Sequence, residues 1–147
     1  MMNQLMGGIS RLLYERFGED TVIYQDEVPQ GFPKPYFFLL LTGVSTRSLP
    51  NRRREETDSL DIAYFPEKPA KHSDLFAMAE DLMRLFQCVT LMDGSKTRGR
   101  NFRSEIVDGV LHVFADYVIV SMQSPQEPPM EQASLISGTG KGEADGS

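Results

Sequence analysis

A chain of 147 residues with 40% hydrophobic and 10% aromatic residues has the length of one domain and enough apolar side chains for a core. Its formal net charge of −6 argues against general affinity for nucleic acid. No apolar run approaches the ~18 to 20 residues of a membrane span, and the N-terminus lacks the basic start of a secretory signal. We therefore expect no membrane contact and a cytoplasmic location by default.

The first predicted element is an amphipathic helix from Asn3 to Phe17. Its apolar residues recur at spacings of three and four, with charged residues between them, and Gly18 ends it. Thr21 to Gln25 follows as a short strand.

A connection rich in proline and glycine leads to the most apolar strand of the chain. Pro29, Gly31, Pro33 and Pro35 can continue neither a helix nor a paired central strand, so this connection is predicted to be rigid. Tyr36 to Leu41 is apolar at every position, which suits a strand covered on both faces. We expect helices to cover one face and a subunit interface to cover the other.

The segment from Val44 to Glu56 is predicted to be a protruding loop between two strands, because it is too long and too polar for a tight hairpin. Thr57 to Phe65 then returns as a strand. The loop carries four arginines: Arg47, Arg52, Arg53 and Arg54.

A second amphipathic helix with a broad apolar stripe is predicted from Leu75 to Phe86, where it packs on the sheet. Cys88 to Met92 follows as a short strand. Cys88 is the single cysteine, so the chain forms no internal disulfide and no cysteine-based metal site. Its apolar neighbours predict a buried structural thiol.

The next segment, Asp93 to Arg100, is predicted to be a flexible basic loop that carries Lys96, Arg98 and Arg100. Together with Arg103, these cations could contact phosphates or the acidic surface of a protein.

Two strands of a hairpin follow, Phe102 to Val107 and Val110 to Met122. They are joined at Asp108-Gly109, which is one of the stronger sequence patterns for a tight hairpin. Strand alternation places Leu111, Val113, Ala115, Tyr117 and Ile119 on one face of the second strand, and His112 and Asp116 on the other.

The last part of the chain, residues 124–147, contains three prolines, four glycines and no aromatic residue. Four acidic residues and one lysine give it a net charge of −3. We predict a disordered acidic tail after a folded domain of residues 1–123. The elements together predict an α+β fold, with a mixed β-sheet of about four to six strands and two packed helices.

Catalytic chemistry has little support in the sequence. His72 and His112 belong to no matching motif, and His112 and Asp116 lie about 13 Å apart along a strand, too far to pair. Asp58 and Asp61 fall on opposite faces of a regular strand, which argues against a shared metal ion. We therefore expect no catalytic residue, no cofactor and no metal, and a protein that is not an enzyme.

Several short motifs in succession make the chain resemble the phage tail terminator family found in phages and prophages of Gram-positive bacteria. The resemblance covers the chain from the first helix to about Met122 and leaves the tail outside. The motifs are Glu27-Val28-Pro29-Gln30-Gly31-Phe32, Pro35-Tyr36-Phe37-Phe38, Tyr64-Phe65-Pro66, Asn101-Phe102 and Asp108-Gly109-Val110-Leu111-His112.

The resemblance implies a small α/β virion protein whose subunits form a sixfold ring on the head-proximal end of the tail tube. Such a ring ends tube growth and provides the surface for head attachment. The implied partners are further copies of the chain, the tail tube protein and a head-completion or neck protein. DNA contact is implied only as passage through the ring lumen. The implied location is the tail-neck region of the virion, after assembly in the host bacterial cytoplasm.

We expect the arginine-bearing loops to take part in assembly. The residues concerned are Arg47, Arg52, Arg53, Arg54, Lys96, Arg98 and Arg100. Another neck, head-completion or tail-tube protein is the nearest alternative, and a nucleic-acid-binding module that uses these basic segments is the alternative from another class.

Overall fold

A computed structural model of the protein describes residues 2–27 and 30–122. Two helices and six strands make up this part of the chain, which confirms the predicted α+β class. The elements are α1 (Met2–Phe17), β1 (Ile23–Gln25), β2 (Tyr36–Leu49), β3 (Arg53–Phe65), α2 (His72–Leu85), β4 (Cys88–Thr90), β5 (Lys96–Val107) and β6 (Val110–Met122).

The six strands form one mixed sheet in the order β1-β2-β3-β6-β5-β4. The short edge strand β1 runs parallel to β2, whereas β4 and β6 both run antiparallel to β5. Two compact units divide the described residues: the first holds 2–27, 30–46 and 55–119, and the second holds 47–54 and 120–122. Neither α1 nor α2 is long and apolar enough to cross a membrane.

One hydrophobic core joins both helices to the same face of the sheet. On β6 the burial alternates residue by residue, as the sequence predicts. Buried residues of α1, of α2 and of the central strands all belong to one cluster. The main members are Leu5, Ile9 and Leu13 on α1, Leu75, Ala79 and Leu82 on α2, Leu60 and Ile62 on β3, and Leu111, Val113, Ala115 and Tyr117 on β6.

The opposite face of the sheet carries no helix in the described chain, and we call it the helix-free face. It bears Asp61 on β3, His112, Phe114 and Asp116 on β6, and Arg103 on β5. Most of these side chains are only half-buried or exposed. The sheet is thus sealed on one side and partly open on the other.

Two polar contacts anchor the sealed side. The buried hydroxyl of Tyr117 donates to the carbonyl oxygen of Phe86 at 2.6 Å, and burial raises the pKa of this phenol. Arg16 on α1 pairs with Asp81 on α2, with 2.8 Å between Nη2 and Oδ2. Close packing of α1 on β4 requires glycine at position 8, because an added Cβ would lie 2.4 Å from the carbonyl oxygen of Thr90.

The apolar strand β2 was predicted to be covered on both faces, and the structure shows a cover on one of them. Phe37 and Leu39 enter the core, so the helices cover one face as predicted. Phe38 and Leu40 point to the helix-free face and stay half-buried. A subunit interface over these two residues remains a prediction.

The prediction of a protruding loop at Val44 to Glu56 was wrong. β2 continues to Leu49 and β3 begins at Arg53, so a tight turn joins two long strands. Asn51 and Arg52 at its centre have φ of 64° and 61°, as a two-residue hairpin turn requires. The residues from Val44 to Glu56 do not alternate between apolar and polar side chains, and the turn lacks glycine. The sequence pattern therefore did not indicate strands in this segment.

The prediction of a flexible basic loop at Asp93 to Arg100 was also wrong beyond its first residues. Only a short turn separates β4 from β5, and it is closed by Asp93, whose Oδ1 accepts hydrogen bonds from the backbone N and the Oγ of Ser95 at 2.9 and 2.6 Å. These bonds lower the pKa of Asp93. β5 begins at Lys96, so Lys96, Arg98 and Arg100 lie on a strand.

Cys88 is exposed, which corrects the prediction of a buried thiol. Strand alternation turns the next residue, Val89, into the core and therefore turns Cys88 outward. The tail predicted to be disordered, residues 124–147, lies outside the described residues, and the domain boundary at 123 remains a prediction.

Candidate assembly surfaces

Strand register places three of the predicted contact residues in one row on the helix-free face. In the antiparallel pair of β4 and β5, Val89 lies opposite Thr97, and both are buried. Their neighbours therefore point the other way. We call Lys96, Arg98 and Arg100 the β5 cationic row. All three side chains are exposed.

An irregularity in β5 keeps the next cation on this face. The register with β6 shifts between Arg100 and Arg103, which is the mark of a β-bulge. Asn101 in the bulge has φ of 58°, and its Nδ2 donates to Oδ2 of Asp116 at 2.9 Å. Arg103 then lies opposite Phe114, with its guanidinium carbon 4.1 Å from the ring centroid. This cation–π contact holds Arg103 over the face.

A hydrogen-bonded pair of side chains lies at the centre of the helix-free face. Nδ1 of His112 donates to both carboxylate oxygens of Asp61, at 2.9 and 3.1 Å. Desolvation raises the pKa of Asp61, and the hydrogen bond from His112 opposes that rise. The partner of His112 is Asp61, a residue that no pattern in the sequence indicated. Only the adjacency of β3 and β6 could have revealed this partner.

The four arginines of the predicted loop lie on the β2–β3 hairpin instead. Arg52 occupies the turn, and Arg47 and Arg54 belong to the strands on either side. Nε of Arg53 donates to the carbonyl oxygen of Pro50 at 3.1 Å, which holds its side chain back across the turn. The three consecutive arginines thus lie at the end of a hairpin, Arg52 in the two-residue turn and Arg53 and Arg54 at the start of β3, rather than in a long loop.

Two clefts lie beside these elements. An apolar cleft of about 380 Å³ has walls from α1, β2, β3 and α2, and burial raises the pKa of Tyr64 in its wall. Its lining includes Phe17, Val22, Pro33, Tyr36, Tyr64 and Met78. A polar cleft of about 350 Å³ lies on the helix-free face. Its lining includes Thr42, Ser59, Asn101, Arg103, Phe114 and Asp116. Neither cleft could be predicted from the sequence, because each is formed by four separate elements.

The side chain of Asp58 is a buried carboxylate. Asp58 on β3 is 0% exposed, and neither of its carboxylate oxygens accepts a hydrogen bond from a residue of the described ranges 2–27 and 30–122. Burial raises its pKa to about 7, and the like charge of Glu56 adds to the rise. Asp58 and Asp61 lie on opposite faces of β3, as the alternation predicts. Within residues 2–27 and 30–122, no three His, Cys, Asp or Glu side chains converge on a metal site.

Comparison with known proteins identifies a family. A family model for phage tail terminator proteins matches residues 4–129. The match extends beyond Met122, so the first part of the predicted tail belongs to the family pattern, contrary to expectation. No curated protein matches the chain. One solved protein chain is 12% identical over 86% of this chain and 99% of its own length, with a TM-score of 0.44, and a likeness at this level supports no conclusion.

Proposed function

Because this chain belongs to the phage tail terminator family, we propose that it caps the head-proximal end of a tail tube as a ring, stops tube growth and provides the surface for head attachment. The family has a structural role in the phage tail and is not an enzyme family. The match of the family model to residues 4–129 is the observation that carries the proposal.

A closed ring needs two different surfaces on each subunit, because its contacts are heterologous. The helix-free face suits one of them. It presents the half-buried Phe38 and Leu40 beside the hydrogen-bonded pair of Asp61 and His112, so it combines apolar area with fixed polar groups. Interfaces of stable oligomers have this composition. We propose that a neighbouring subunit covers the β2 and β3 side of this face and leaves β5 uncovered, and the ring size expected from the family is six.

The β2–β3 hairpin suits contact with the tube or the neck. Arginine forks pair with carboxylates through two parallel hydrogen bonds, and a rigid turn limits the entropy lost on binding. Arg52, Arg53 and Arg54 are therefore proposed as assembly contacts, with Arg47 supporting them from β2. The proposed partners are carboxylates of the tail tube protein or of a head-completion protein.

The proposal is tested by deleting the gene in its phage and measuring tail length by electron microscopy of lysates. We expect tails that grow past normal length and do not join heads, and complementation in trans should restore both properties. Purified protein mixed with tail tubes should bind at one end. Tails of normal length with attached heads in the deletion mutant would contradict the proposed function.

A further inference from the structure

The β5 cationic row has no acidic partner in the described chain. Lys96, Arg98 and Arg100 are exposed, and none of them forms an ion pair or side-chain hydrogen bond with another described residue. Single exposed cations are common on protein surfaces. Three cations without an acidic partner at alternate positions of one strand form a charged array with fixed spacing.

The dimensions of the row follow from strand geometry. Alternate residues of a strand lie about 6.7 Å apart, so Lys96 and Arg100 are separated by about 13 Å along β5. Hydrogen bonds to β4 on one side and to β6 on the other hold the backbone. Each strand of duplex DNA carries one phosphate per about 3.4 Å of helix axis. The row therefore spans the length of about four phosphates.

The nearest carboxylate in the register keeps its charge but forms no ion pair with the row. Asp116 lies directly opposite Arg100 on β6, but its Oδ2 accepts the hydrogen bond from Asn101. The bulge thus supplies a neutral donor to the acid and leaves the guanidinium of Arg100 available. Beyond the bulge, Arg103 extends the positive charge along the same face.

We propose that the β5 cationic row binds the phosphate backbone of duplex DNA without reading its sequence. Guanidinium forks match phosphate oxygens in geometry, and a lysine adds a point charge. A single exposed strand with three cations offers no element to enter a groove, so base recognition is not part of the proposal. The inference rests on β5 and its neighbours and does not require the ring.

The test uses the full chain and a fluorescein-labelled duplex of about 20 base pairs, with anisotropy measured at about 50 and 200 mM salt. Three phosphate contacts predict that affinity falls about fortyfold between these salt concentrations. The variant Lys96→Gln/Arg98→Gln/Arg100→Gln should bind at least about tenfold more weakly at the lower salt concentration, with a flatter salt dependence.

Two further variants serve as controls. Arg52→Gln/Arg53→Gln/Arg54→Gln removes the same charge from the β2–β3 hairpin and should stay within about threefold of the wild-type affinity. Arg98→Lys/Arg100→Lys keeps the charge and should retain most of the binding. Circular dichroism of each variant should match that of the wild type, because all the substituted side chains are exposed.

Three outcomes would overturn the proposal. The first is that the wild type shows no binding at the lower salt concentration. The second is that the two glutamine variants weaken binding equally, which would assign the effect to net charge alone. The third is that polyglutamate competes as well as unlabelled duplex at equal charge concentration, which would assign the row to an acidic protein surface. The row is confirmed as a DNA contact only if its own variant loses binding and duplex DNA competes better.

Discussion

Nδ1 of His112 on β6 lies 2.9 Å from Oδ2 of Asp61 on β3, although 51 positions separate the two residues in the chain. The pair ties together the two central strands of the sheet, β3 and β6, on the helix-free face. In the single subunit the side chain of His112 is 24% exposed and that of Asp61 is 14% exposed. A neighbouring subunit over this face would remove their remaining contact with water and make the pair still more dependent on its own hydrogen bonds.

Replacing His112 should show how strongly its hydrogen bond to Asp61 stabilises the folded chain. His112→Phe leaves Asp61 partly buried without its donor, so we expect the free energy of unfolding at pH 7 to fall by about 1 to 3 kcal/mol. Urea denaturation measures it. The double variant Asp61→Asn/His112→Phe should recover part of the loss. Additive effects of Asp61→Asn and His112→Phe would contradict an energetic coupling between the two residues.

The buried Asp58 predicts a dependence of stability on pH. Its pKa is raised to about 7 in the folded chain, so the folded state holds this proton more tightly than the unfolded state does. The contribution of Asp58 to stability should be greatest near pH 4, fall as the pH rises to about 7, and stay constant above it. The raised pKa limits the loss to about 4 kcal/mol.

Asp58→Asn should remove this dependence and raise stability at pH 8 relative to the wild type. Urea denaturation between pH 4 and 8 measures the effect. Asp74→Asn, at an exposed position in the first turn of α2, is the matched control and should keep the wild-type profile. Parallel profiles for the wild type and Asp58→Asn would show that Asp58 is not the titrating group.

Substitutions at one buried and one exposed position of α2 test which face of this helix packs in the core. Leu82 is 0% exposed, whereas Phe76 on the same helix is 44% exposed. Leu82→Asp buries an unpaired charge and should cost more than about 3 kcal/mol or prevent folding. Phe76→Asp should change the melting temperature by only a few degrees. Equal melting temperatures for the two variants would show that the predicted stripe is not the core face.

Arginines of the β2–β3 hairpin are expected to act in assembly. Replacing Arg52, Arg53 and Arg54 with alanine should leave the monomer folded, because the turn depends on backbone conformation and these side chains are exposed. In the phage, the triple variant should give overlong tails or tails without heads. Normal tail length together with normal infectivity would contradict a role in assembly.

Two truncations test the C-terminal boundary. The composition of residues 124–147 predicts that deletion after Gln123 leaves the melting temperature nearly unchanged. The family match to residue 129 gives a reason to compare this variant with one that ends at 129. Both should fold as the full chain does. A loss of folded protein in the shorter variant alone would move the domain boundary to the end of the family match.

Local patterns in the sequence determined both helices and one hairpin. The apolar spacing of α1 and its end at Gly18 depend on residues within a few positions of each other, and Gly18 indeed has φ of 106°. Asp108 and Gly109 have φ of 52° and 77°, the conformation that their residue types favour in a two-residue turn. Alternation along β6 likewise needed no knowledge of its neighbours.

Only the tertiary structure decided how far the polar strands extend and which residues meet across them. The residues from Val44 to Glu56 lack an alternating apolar pattern, so their extended conformation depends on pairing between β2 and β3 rather than on burial. Cys88 is exposed because the register of β4 on β5 gives the core position to Val89. Asp61 meets His112 because β6 lies next to β3, and strand order depends on long-range packing that no short segment encodes.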